Sequence, residues 1–74
     1  MMTQAMLRAG IDNGLIYEID ATMLWTMPEW LDSKIGHDYI ERLFDAIEIR
    51  MTANPALMWL GTMLQEALLQ YLED

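Results

Sequence analysis

The chain contains no cysteine. That excludes disulfides and thiolate metal sites, two of the staples on which small domains rely. It suits a reducing compartment, and the expected location is cytoplasmic. Basic residues are nearly as scarce. Arg8, Lys34, Arg42 and Arg50 stand against 12 acids, for a net charge of −8. Nucleic-acid binders gather Lys and Arg on one face. These four are scattered, so no direct contact with nucleic acid is expected. An anionic membrane surface is disfavoured by the same repulsion.

Catalytic side chains are also few. Ser33 is the only serine and His37 the only histidine. Neither stands in a triad or nucleophile-elbow pattern. The glycines are isolated from one another, so there is no phosphate-cradling loop. His37-x-x-x-Glu41 could place two ligands on one helical face, but a usable metal site needs more. A surface or capping histidine is the plainer reading. The expectation is a non-enzymatic protein with no cofactor and no metal.

A membrane-spanning run is missing too. The longest uncharged stretch, Met51 to Gln65, contains Asn54-Pro55 and falls short of the ~20 apolar residues a span requires. The opening "MMTQAMLRAG" has one positive charge and no apolar core, which does not read as a signal peptide.

What the chain does have is apolar surface. At 74 residues it is expected to form a single compact domain over 1–74, yet 54% of it is hydrophobic. A chain this short buries only about 60% of its unfolded surface. Burial against another chain is the remaining remedy.

Three helix starts are well marked. Thr26-Met27-Pro28-Glu29 is a capping-box pattern with Pro in the first turn. It predicts a short helix ending near Ile35, with Gly36 as its stop. Asp38 is expected to cap a second helix running to about Met51 or Thr52. Asn54-Pro55 opens a third, running to about Leu72.

The N-terminal third admits two readings. Thr3 could cap a short helix that Gly10 ends. But Asn13-Gly14 is a strong hairpin signal, and "LIYEIDATM" alternates as a strand does. Read instead as a helix, this stretch places Asp20 inside the apolar arc. A strand would need a mate, for which Met6 to Ile11 is poor, which leaves a second copy to supply it. The fold class is therefore mainly α: two long C-terminal helices plus a short one, with a possible N-terminal β-hairpin around Asn13-Gly14.

Two helical faces carry the functional expectation. At about 100° per residue, Asp38, Glu41, Asp45 and Glu48 share an arc about 80° wide. Ile49 lies exposed between this acidic ridge and Arg42. A solvated face is the bland interpretation; a docking ridge for a basic patch on a protein partner is the functional one.

In the last helix, Leu57, Leu60, Gly61, Leu64, Ala67, Leu68, Tyr71 and Leu72 form a core arc about 140° wide. Thr62, Glu66, Gln70 and Glu73 are the wet side. Met58 and Leu69 on one flank, and Trp59 and Met63 on the other, are apolar residues left over. They are the candidates for self-association. Gly61 should permit close approach of another backbone.

The chain has eight Met and three Trp, residue types that recur at adaptable surfaces and interface hot spots. Trp30 is assigned to the core; Trp25 and Trp59 suit either core or interface.

Together these features predict a small acidic protein-binding regulator, homodimeric through its last helix. It would dock stoichiometrically, as inhibitor, anti-activator or adaptor, on a larger protein. Small acidic Cys-free chains of this kind are common among phage and bacterial regulators. A DNA mimic occupying a basic site, or a structural subunit of an assembly, are the alternatives.

Overall fold

The computed structural model describes residues 3–25 and 34–72, which form four α-helices. The first, α1, spans Gln4–Asp12. Thr3 caps it from an extended backbone, its Oγ1 accepting from the Met6 N–H at 3.2 Å. Such a cap satisfies one of the helix's orphan donors.

The other end of α1 corrects the sequence reading. The helix passes through Gly10 and stops at Asn13-Gly14. Gly14 has φ +74°, the only positive φ among the described residues. Its N–H donates to Ile11 O at 3.1 Å, and the Leu15 N–H donates to Gly10 O at 2.9 Å. These two bonds make a Schellman cap. The Asn13 side chain donates to Ala9 O at 2.8 Å as well.

There is no hairpin, and no strand occurs among the described residues. A left-handed Asn-Gly pair serves a hairpin turn and a helix C-cap equally well. Here the flanking residues decide: Leu15 and Ile16 are both buried, which an alternating strand with one wet face does not allow. Gly10 does not stop the helix because it is a packing position. A Cβ there would lie 3.0 Å from Ile16 Cγ1 and 3.2 Å from Leu64 Cδ1.

Helix α2 is Glu18–Trp25. The Asp20 carboxylate reaches back to accept from the Tyr17 N–H at 3.1 Å, the acidic half of a capping box.

Helix α3, Lys34–Ala53, is 20 residues long. It begins earlier than the sequence predicts. Gly36 is no stop but a buried residue of its first turn, and Asp38 is no cap but lies within the helix. Glycine ends a helix by turning left-handed, and Gly36 does not have a positive φ. The predicted capping box at Thr26 to Glu29, most of the short helix it opens, and Trp30 lie outside the described residues.

Asn54 and Pro55 do open the last element. Pro55–Leu57 is a single 3-10 turn leading into α4, Met58–Leu72. The Asn54 side chain makes no capping bond; its backbone O accepts from the Leu57 N–H at 2.9 Å.

The core is one cluster. Helix α3 contributes Ile40, Leu43, Ile47 and Met51, and α4 contributes Leu60, Leu64, Ala67, Leu68 and Tyr71; Leu7, Leu15, Ile16 and Leu24 close it from the N-terminal side. Each fully buried Leu or Ile stabilises the fold by roughly 1.5–3 kcal/mol.

Helices α3 and α4 run antiparallel, with Met51 against Gly61 and Glu48 against Gln65. The close approach expected at Gly61 is present: a Cβ there would lie 2.9 Å from Met51 Cβ. The neighbour is a side chain of α3 rather than a bare backbone.

Candidate protein-docking surface

The acidic ridge is laid out along α3. Glu41, Asp45 and Glu48 are exposed, and Asp38 is half-buried at the helix's N-terminal end. Like charges spaced three and four apart cost a few tenths of a kcal/mol per pair on an isolated helix. One member has a neutral partner. Gln65 of α4 donates from Nε2 to Glu48 Oε2 at 3.0 Å and to Phe44 O at 3.2 Å. Only 7% of Gln65 is exposed.

Gln65 is the residue the sequence analysis misses. Its angular position, about 20° beyond Leu72 on the helical wheel, puts it at the edge of the core arc and is the one available signal. It stitches the ridge to α4 and so fixes how the two helices present their joint surface.

That joint surface is a shallow groove of about 320 Å³, lined by Glu41, Phe44, Asp45, Leu69 and Leu72. Two carboxylates of the ridge therefore face one of the leftover apolar residues of the last helix. The sequence separates partner-binding candidates from self-association candidates; the fold brings Leu69 to Glu41 and Asp45. Met58 lies on the same side of α4 as Leu69, about 16 Å back along the helix axis. Ile49, 71% exposed, stands beside the ridge on α3, outside the groove lining.

The second flank of α4 is separate. Trp59 is 64% exposed and Met63 43% exposed, against 50% for Met58 and 42% for Leu69. All four leftover residues are thus open on the single chain. The predicted wet side is exposed at Thr62, Glu66 and Gln70; Glu73 lies outside the described residues. Trp25 is 57% exposed, so it too belongs to the surface and not to the core.

His37 and Glu41 are both exposed on α3. No three of the His, Asp and Glu side chains gather as a metal ion would require, among the described residues. No helix among them is long and apolar enough to cross a membrane.

What the arrangement can do chemically is bind. Carboxylates along one wall of an apolar groove suit a cationic, amphipathic protein segment: the wall pairs with Lys or Arg, and Phe44, Leu69 and Leu72 take apolar side chains. Compared with known proteins, the chain matches no family model, no curated protein and no solved structure.

Proposed function

We propose that this chain is a small acidic, non-catalytic protein-binding regulator. It docks stoichiometrically on a basic, amphipathic element of a larger protein and associates with itself through the last helix. One observation carries the reading: Glu41 and Asp45 line the same groove as Leu69 and Leu72. An acidic face alone would be ordinary solvated surface, and an apolar flank alone would be ordinary excess. Side by side they make a surface of mixed chemistry that selects charge and buries apolar area at once. The Met58 and Leu69 side of α4 goes with this partner surface; Trp59 and Met63, on the opposite flank, go with the second copy. The cytoplasm is the compartment proposed, from the absence of cysteine.

The test is affinity capture with a purified cationic target, followed by substitution. Glu41→Lys with Asp45→Lys should abolish capture, and Leu69→Ser should weaken it about tenfold, as expected for one apolar anchor. Trp59→Ser should leave it intact. Capture indifferent to both the charge reversal and Leu69→Ser would overturn the groove as the contact.

A further inference from the structure

The flank of α3 opposite the groove gathers half of the chain's scarce Lys and Arg. Arg42, Ala46 and Arg50 recur every fourth residue, so they form one stripe along the helix. With Tyr17, Asp20 and Tyr39 they line a dent of about 270 Å³. The small Ala46 side chain leaves the room between the two guanidiniums.

These arginines are not neutralised as the composition would suggest. The chain has 12 acids for four Lys and Arg, yet the one ion pair among the described residues is Arg8 with Asp12, at 3.8 Å on open surface. The only carboxylate in the dent, Asp20, has both oxygens engaged, Oδ1 by the Tyr39 O–H at 2.6 Å and Oδ2 by the Tyr17 N–H at 3.1 Å. Arg50 is held in place by two contacts: it donates to Leu15 O at 2.7 Å and its guanidinium lies 4.3 Å over the centre of the Tyr17 ring. A guanidinium carries five N–H donors, so most of those on Arg50 remain for a ligand. Arg42 is exposed at the other end of the stripe. A fixed arginine and an exposed one, set about a small apolar floor, suit a planar or tetrahedral oxyanion, which guanidinium binds in a bidentate manner.

We propose that the dent between Tyr17, Tyr39, Arg42 and Arg50 is a binding site for a small oxyanion, a carboxylate or a phosphate group, distinct from the acidic groove. Arg50 orients the anion and Arg42 closes over it. Asp20 in the lining, and Asp38 and Asp45 one turn from Arg42, lie inside the screening length and lower the affinity; acids beyond about 8 Å are screened at physiological ionic strength.

Titration of the intact protein followed by nuclear magnetic resonance tests this, with inorganic phosphate in one arm and acetate in the other, at constant ionic strength. The expected result is a saturable shift of the Arg42 and Arg50 side-chain N–H and Tyr17 and Tyr39 ring signals. Saturation by phosphate alone assigns a phosphate site, by acetate alone a carboxylate site, and by both a site for either. Arg42→Gln removes a guanidinium that makes no hydrogen bond or ion pair among the described residues, so the fold should persist while affinity falls about tenfold or more. Non-saturating or dispersed shifts in both arms, or unchanged affinity in Arg42→Gln, would overturn the proposal.

Discussion

The Tyr39 phenol of α3 donates to the Asp20 carboxylate of α2 at 2.6 Å, and that same carboxylate caps its own helix through the Tyr17 N–H. One acidic side chain thus both starts α2 and ties it to α3. Removing the hydroxyl in Tyr39→Phe leaves Asp20 with a single partner. The expected loss is about 1–2 kcal/mol in denaturant unfolding, and Asp20→Ala should lose more, because the cap goes as well.

The same contact makes stability depend on alkaline pH. Burial, then the hydrogen bond and charge of Asp20, raise the Tyr39 hydroxyl above its ordinary value of 10.0. The folded state therefore holds this proton more tightly than the unfolded chain does. The contribution is fully present below pH 10 and is lost as pH rises towards the raised folded value. Unfolding curves should show declining stability above pH 10, and Tyr39→Phe should flatten that decline. Equal slopes in the two proteins would refute the assignment.

Gly14 holds the left-handed position that the C-cap of α1 requires. Its φ of +74° is disfavoured for any side chain, although nothing lies within 4 Å of a Cβ there. Gly14→Ala should cost about 1–2 kcal/mol, and Gly14→Asn less. Gly61→Ala should destabilise for a different reason. The gain of about 1 kcal/mol in helix propensity is outweighed by overpacking against Met51 Cβ, which costs typically about 1–3 kcal/mol. Adding Met51→Ala to Gly61→Ala removes the Cγ and Sδ contacts but keeps the Cβ at 2.9 Å, so a double-mutant cycle should show partial relief only.

Gln65→Glu places a carboxylate where Gln65 now donates to Glu48 and Phe44. A donor is lost and a buried carboxylate faces the exposed Glu48. The variant should lose about 2–3 kcal/mol near neutral pH. Acidification should restore part of it, seen as a higher melting temperature at pH 5 than at pH 7 relative to the parent.

Self-association is the most direct check on the outer flank of α4. The parent chain should sediment at about twice its 8.6 kDa. Trp59→Glu with Met63→Glu should sediment as a monomer, because burying two charges at an interface costs several kcal/mol. A parent that remains monomeric at high micromolar concentration would remove the dimer and leave all four exposed residues to a foreign partner.

The helical class, the N-cap at Thr3, the start at Asn54-Pro55 and the entire core arc of the last helix are legible in the chain. Each rests on local physics: a capping oxygen, a fixed φ, a period of 3.6 residues. The same local physics leaves Asn13-Gly14 ambiguous, because a left-handed glycine ends a helix as readily as it turns a hairpin. It cannot place Gly36 or Asp38, whose roles depend on where α3 begins. Asp20 looks like a flaw in the apolar pattern of α2; it caps the helix locally through the Tyr17 N–H, and the arrival of Tyr39 from α3 engages its other oxygen. Composition and spacing alone set out the acidic ridge and the leftover apolar residues. That Leu69 meets Glu41 and Asp45, while Arg42 and Arg50 gather around Tyr17, is decided by the packing of helices distant in sequence. Side chains far apart along the chain share a surface only when core burial fixes the register between their helices.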